Sequence, residues 1–346
     1  MTLYSSLQAN DYFCHLHWKW VHGFGCVKTL ETYFRGMVYF TRCYRIGCNG
    51  FSGGILCCLI FCIGLFCIQT NGRDWIRGKS RTMKTRHQGY GMNNSLGKNW
   101  ILLRGLARES AHWGNFVPLL QATFPDAKIT TLDLPGTGRF YRDESPSTIE
   151  AIAETVRLHA LELGLLQRPV TVLALSLGGM VAWEWLQNYP EDSCGAALIS
   201  TSFAGLNPFY QRLRWQSYGK FFALLMQRDL YKRELAIVQL VNNGRERDGQ
   251  IAQDWEQIQK ERPINLKNMY KQMLAAATYQ PSPTKPTQPV LLLNAKGDRL
   301  VAPACSEAIQ KKWGLELRTH PWAGHDLTVD DGAWVALQLK NWVAQN

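Results

Sequence analysis

The stretch VTVLALSLGGM, residues 170–180, constrains the fold of this 346-residue chain more than any other. Its first six residues carry no charge and are rich in β-branched and aliphatic side chains, which suits a strand buried on both faces of a parallel sheet. Ser176 follows directly, and a helix-forming run, GMVAWEWLQNY, then continues to Pro190. A polar residue that ends such a strand lies at the carboxyl edge of the sheet, where open parallel sheets bind their ligands. Ser176 is therefore either a nucleophile on a tight turn or an inert turn residue. The rest of the chain has to decide between them.

From Trp100 onward, short apolar runs alternate with helix-period segments, the pattern of a parallel sheet with helices on both faces. WILL (100–103), KITTLDL (128–134), AALIS (196–200) and VLLLNA (290–295) read as strands, with another around 315–319. A helix is expected around 113–122. A second is expected from Ser147, with Glu150 completing a capping box and apolar positions running to Leu165. Residues 201–288 separate two core strands and hold helical stretches such as WQSYGKFFALLMQ and QIAQDWEQIQK. A segment this long folds by itself, so it is expected to be a helical cap that excludes water and shapes a pocket. The expected class is α/β, a mostly parallel central sheet with helices on both faces and a cap insertion at about 201–288.

Three polar residues follow strands: Ser176, then Asp298 after VLLLNAKG, then His325 in HPWAGHD. A serine hydroxyl becomes a useful nucleophile when a base takes its proton, and an acid behind the base fixes the imidazole tautomer. This order, with LDLPGTGR, SLGGMVAWEW, NAKGDRLVA and AGHDL in sequence, resembles the α/β-hydrolase superfamily from about Trp100 to the C-terminus. Ala174 stands where that family's G-x-S-x-G turn usually has its first glycine, while Gly178 keeps the second.

The resemblance implies Ser176 as nucleophile, His325 as base and Asp298 as acid, with the backbone N–H groups of Leu106 and Leu177 as the oxyanion hole. Arg104 occupies the position of the family's usual histidine. The implied activity is cleavage of an ester or thioester through an acyl-enzyme, without metal or organic cofactor. The alternatives are a C–C bond hydrolase or lyase on the same triad, or a non-catalytic binding or membrane-tethered protein. A serine rather than an aspartate at the turn argues against haloalkane dehalogenase and epoxide hydrolase chemistry. Asp326, Asp330 and Asp331 are rival acids, and Cys305 is a rival nucleophile with no nearby base.

The substrate is expected to be a small acyl compound. Arg104, Arg108 and Arg139 fall in loops near the expected mouth, which points to a carboxylate or phosphate on it. Trp113, beside His112, is expected to line that mouth. Phe221, Phe222, Leu224 and Leu225 in the cap suit an apolar acyl chain.

The first ninety residues differ in kind. Residues 1–98 hold 12 Lys+Arg against 3 Asp+Glu, while the remainder holds 26 against 24, so the basic excess does not describe the α/β part. With no basic stripe or nucleic-acid motif after Trp100, nucleic acid is not an expected partner. Eight of ten cysteines fall at or before Cys67, which leaves the later part fitted to a reducing, cytoplasmic setting.

Residues 51–68, FSGGILCCLIFCIGLFCI, form an uncharged run close to the roughly 20 residues a membrane span needs. Its denser positive flank would leave the later domain in the cytoplasm, and a membrane is a partner only if this segment spans one. Cys14, His15, His17, His22 and Cys26 match no metal-ligand spacing, so no metal is expected. Residues 1–91 thus read either as an atypical Cys-rich, basic extension or as an over-extended reading frame before a natural start at Met92, with the α/β domain at 92–346. An intact mass near 39.4 kDa for the native protein excludes the second reading.

Overall fold

The computed structural model describes residues 95–346 and, before them, four short strands: β1 (His17–Lys19), β2 (Val27–Thr29), β3 (Tyr33–Phe34) and β4 (Met37–Val38). The chain divides into two units, Met1–Lys84 and Thr85–Asn346. In the first, β1 pairs antiparallel with β2 and β3 with β4. The 51–68 segment and, of the Cys14 to Cys26 cluster, every residue but His17 lie outside the described residues. Among the described residues, no helix is long and apolar enough to cross a membrane.

The second unit is built on six parallel strands: β5 (Asn99–Leu103), β6 (Lys128–Leu132), β7 (Val170–Leu175), β8 (Ser193–Ile199), β9 (Val290–Ala295) and β10 (Glu316–His320). Their spatial order is β10-β9-β8-β7-β5-β6. The charge-free runs take the centre: every residue of β7, β8 and β9 is buried, while the edge strands β6 and β10 keep exposed positions. Alternate residues of one strand face opposite cores, as period-two geometry requires. Ile101, Leu103, Val172 and Ala174 join one core, and Trp100, Leu102, Leu173 and Leu175 the other.

Helices cover both cores. On the Ile101 side lie α2 (Ile149–Glu162), α3 (Leu177–Asn188) and α9 (Ala304–Trp313), contributing Val156, Trp183 and Ile309. On the Trp100 side lie α1 (Phe116–Thr123) and α11 (Gly332–Gln345), contributing Leu120 and Leu339. Each such Val, Leu or Ile side chain contributes about 1.5–3 kcal/mol when fully buried. The cap of Thr148, not Ser147, starts α2: its hydroxyl accepts from the Ala151 N–H. The expected 113–122 helix is split by Gly114, whose φ of 48° separates a 3-10 turn at Ser110–Trp113 from α1.

The insertion between β8 and β9 is helical, as its length required. It holds α4 (Phe209–Arg212), α5 (Tyr218–Met226), α6 (Leu230–Val241), α7 (Asp248–Glu261) and α8 (Leu266–Thr278). Its own small core of Val238, Ala252 and Trp255 explains why it stands as a folded layer. A short α10 (Leu327–Asp330) precedes α11.

The chain runs from β5 outward to β6, then returns to place β7 on the other side of β5. That reversal opens a crevice at the carboxyl ends of β5 and β7, the place where such sheets bind ligands. Ser176 follows β7 and Arg104 follows β5.

Candidate active site

Ser176 has φ 57° and ψ −116°, a conformation that non-glycine residues rarely adopt and that costs about 1–3 kcal/mol. The turn is held from both sides. Its N–H donates to the Ile199 carbonyl at 2.8 Å, and its carbonyl accepts from the Gly179 N–H and the Thr201 hydroxyl, both at 2.9 Å. Close approach explains the glycine after it: a Cβ on Gly178 would lie 2.5 Å from the Arg104 carbonyl oxygen and 2.8 Å from that of Leu103. Ala174 is fully buried with its methyl in the Ile101-side core, so the missing glycine is replaced by a packed side chain.

Asp298 and His325 lie in the loops after β9 and β10, and they meet. His325 Nδ1 is 2.8 Å from Asp298 Oδ2, and both residues are buried. The other carboxylate oxygen accepts from the N–H groups of Leu300 and Val301 at 2.7 and 2.9 Å. Asp298 is thus both the turn former that its Gly-Asp context suggests and the imidazole's partner. The rival acids have other work. Asp330 accepts from the N–H groups of Asn243, Gly244 and Gly324, and Asp331 caps α11 through the Trp334 N–H.

Asp326 pairs with Arg104, whose Nη2 donates to Oδ2 at 2.5 Å. Burial alone would raise the Asp326 carboxyl, but the Arg104 charge and the Thr328 hydroxyl bond outweigh it and hold it below the usual carboxylate range. The sulfur of Cys305 is buried in the domain, and that burial, above all, pushes its thiol up to about 12, so it is no nucleophile at neutral pH.

The loop after β5 runs against the serine: a Cβ on Gly105 would lie 3.1 Å from that of Ser176. Leu106 follows, and Ala107 then takes a φ of 56°, held by its N–H to Gln272 Oε1 at 2.9 Å. Gln272 belongs to α8, so the cap fixes this loop. Leu177 opens α3, and a first-turn N–H has no partner within its own helix.

The arginine and tryptophan expectations need correction. Arg104 is 3% exposed, spent on Asp326, and stacked 4.7 Å over Trp113. Arg108 donates to Glu234 Oε2 at 2.8 Å and lies 4.5 Å over Trp255. Both guanidiniums are already paired with a carboxylate, although Nε and Nη1 of Arg104 keep no hydrogen-bond partner among the described residues. Trp113 is 1% exposed in the Trp100-side core rather than at a mouth, because the turn before α1 folds inward. His112 is likewise buried. Burial, then the charges of Arg108 and Arg104, drive its pKa well below the ordinary value and keep it neutral. Arg139 is exposed, with its main-chain N–H on Asp133.

Sequence reading missed a latch. Asn243, just after α6, donates through Nδ2 to the Gly297 carbonyl at 3.0 Å and the Trp322 carbonyl at 2.8 Å, tying the acid loop to the histidine loop. The signal was an Asn-Asn-Gly break after an amphipathic helix, which reads equally well as a plain turn. A separate recess of about 120 Å³, lined by Asn99, Lys128 and Arg168, opens at the opposite, amino end of the sheet and takes no part.

A six-stranded parallel sheet with a strained serine at its switch point defines the class. The chain belongs to the α/β-hydrolase family, whose model matches residues 100–338. Its fold is shared with solved structures of low identity. An esterase from a Rhodococcus species is 16% identical, with 72% of this chain and 92% of that one covered at a TM-score of 0.58. A lipase-esterase related protein from Clostridium acetobutylicum is 19% identical, with 72% and 96% covered at 0.56. A non-heme bromoperoxidase candidate from Mycobacterium tuberculosis is 19% identical, with 73% and 94% covered at 0.57. No curated protein matches the sequence.

Proposed function

We propose that this α/β hydrolase is a serine hydrolase that cleaves a small ester or thioester through an acyl-enzyme. Ser176 is the nucleophile, His325 the general base and acid, and Asp298 the residue that orients the imidazole. The observation that carries the reading is the buried 2.8 Å contact between His325 Nδ1 and Asp298 Oδ2, on the same sheet edge as the strained Ser176. With Nδ1–H donated to the carboxylate, Nε2 keeps its lone pair for the serine proton.

Ser176 Oγ attacks the acyl carbonyl as its proton passes to His325. The oxygen of the tetrahedral intermediate takes up negative charge against the Leu106 and Leu177 N–H groups. Collapse breaks the bond to the alcohol or thiol, which leaves with the proton from His325. Water, deprotonated by the same imidazole, then releases the acid and restores the serine. Fixed N–H donors of this kind contribute about 3–4 kcal/mol each to the transition state.

The test is fluorophosphonate labelling of the full chain beside Ser176→Ala, with the adduct mapped by mass spectrometry. A single adduct on Ser176, and loss of p-nitrophenyl ester turnover by about 10⁴-fold or more in the variant, is the expected result. Undiminished turnover in Ser176→Ala overturns the assignment.

A further inference from the structure

The start of the cap carries a surface that this chemistry does not use. Between Ser193 and Arg228 the sequence has no Asp or Glu but four cations, Arg212, Arg214, Lys220 and Arg228. The same stretch exposes Phe209 (48%), Tyr210 (50%), Trp215 (64%), Phe222 (46%) and Met226 (68%). Scattered exposed apolar side chains are ordinary, but five large ones within eighteen residues form a patch.

The patch is continuous. Tyr210 packs edge-on against Phe209, which stacks on Tyr218, with both pairs of ring centroids 6.3 Å apart. Tyr218, Phe222 and Met226 then follow at four-residue steps along one face of α5. Lys220, at the far edge of the exposed side of α5 with Gly219 and Ala223 between it and the strip, and Arg228, just past the end of the helix, are exposed and form no ion pair among the described residues. Arg212 and Arg214 instead turn inward, to the carbonyls of Ala276 and Asp298.

We propose that residues 209–226 dock this domain on an anionic lipid bilayer, the aromatic strip entering the headgroup boundary and Lys220 and Arg228 meeting lipid phosphates. A short helix with aromatic and aliphatic groups along one edge of its exposed side and unpaired cations at the other edge and at its end has the composition of an interfacial segment. Aromatic rings suit that depth, and cations near an anionic surface are drawn to it. A second copy of the chain fits less well, since a two-fold contact over this strip sets Lys220 and Arg228 of one copy against those of the other.

The strip is rooted at the site. The Arg214 N–H donates to the Leu300 carbonyl at 2.9 Å, and the Ser217 hydroxyl to the Arg299 carbonyl at 2.7 Å. Both acceptors lie within two residues of Asp298, so a docked strip places the lipid surface beside the acid loop. The docking reading does not rest on the triad: it concerns binding, and it stands whether or not Ser176 is catalytic.

Hydrogen exchange of the full chain with vesicles tests it, because the readout is local and blind to attachment through any other segment. With 30% phosphatidylglycerol in phosphatidylcholine, peptides from 209–226 are expected to gain protection that 0.5 M salt reverses. Lys220→Glu with Arg228→Glu is expected to weaken the vesicle-induced protection more than about tenfold in lipid concentration, with fluorophosphonate labelling unchanged. Trp215→Ser with Met226→Ser is expected to abolish it. No added protection with anionic vesicles overturns the proposal, as does equal protection with neutral ones. Protection that grows with protein concentration in the absence of lipid overturns it in favour of self-association.

Discussion

At single residues, the proposed mechanism separates groups that touch the reacting atoms from groups that hold those groups in place. Asp298 belongs to the second kind, and its two oxygens do different jobs. Asp298→Asn keeps an acceptor for the Leu300 and Val301 N–H groups but leaves the His325 tautomer unfixed. Its kcat is expected to fall by about 10³–10⁴ with KM little changed, measured on a soluble ester. His112 makes a prediction in pH. Its folded pKa is depressed, so the unfolded chain binds the extra proton first, and stability is lost as pH falls below the ordinary imidazole value toward the folded one. The slope approaches about 1.4 kcal/mol per pH unit in that window. Denaturant midpoints between pH 7 and 5 should fall more steeply in the parent than in His112→Gln, and parallel slopes would exclude His112 as the source. The role of Asp298 was read from the sequence, but the behaviour of His112 was not. A histidine near a sheet edge reads equally as pocket lining, and only its burial against Arg108 and Trp255 decides.

Among elements, the sequence was most informative where one physical demand dominates. Charge-free β7 and β9 fall at the residues their composition marks, since an uncharged run of six fits little but a central strand. The turn after β7 was legible too, through the small residues needed where a strand and helix backbone nearly touch. That contact predicts opposite outcomes for two glycines. Gly178→Ala drives a Cβ into the Arg104 and Leu103 carbonyls and is expected to cost about 1–3 kcal/mol, with a larger loss of activity because the Leu106 loop moves. Gly219→Ala meets open space within α5 and is expected to stabilise by about 0.5–1 kcal/mol. Thermal unfolding of both variants checks the pair.

Pairing across loops was not legible. Arg104 and Asp326 lie more than two hundred positions apart, and no local pattern joins them. Their pair ties the loop after β5 to the histidine loop, with Arg104 in the place of the family's usual histidine. Asp326→Asn leaves a buried guanidinium without its counter-charge and is expected to cost about 3–5 kcal/mol at neutral pH. The folded Asp326 carboxyl is depressed, so its contribution is full above the ordinary carboxylate range and is lost as pH falls through the lower folded value. Acid unfolding below pH 5 should therefore be shallower in the variant.

At the scale of the whole molecule, the question is how much chain the site requires. The core on the Trp100 side begins with Leu96, and the Gly97 N–H donates to the Thr171 hydroxyl of β7 at 2.8 Å, so the sheet draws on the chain from that point. The composition break near residue 91 agrees, because a segment with 3 carboxylates in 98 residues follows different rules from one that balances 24 against 26 cations. Family likeness begins at residue 100 for the same physical reason: the first strand of the parallel sheet, β5, starts at Asn99.

A fragment covering residues 92–346 is consequently expected to unfold in one cooperative transition and to take the fluorophosphonate at the full-length rate. One beginning at residue 104 loses β5, and with it the neighbour of both β6 and β7 and the strand that supports the Leu106 loop. It is expected to be unfolded and unlabelled. Circular dichroism melts and labelling time courses on the two fragments decide the matter. A 92–346 fragment that fails to fold would mean that the core beginning at Leu96 needs residues before Met92 to form.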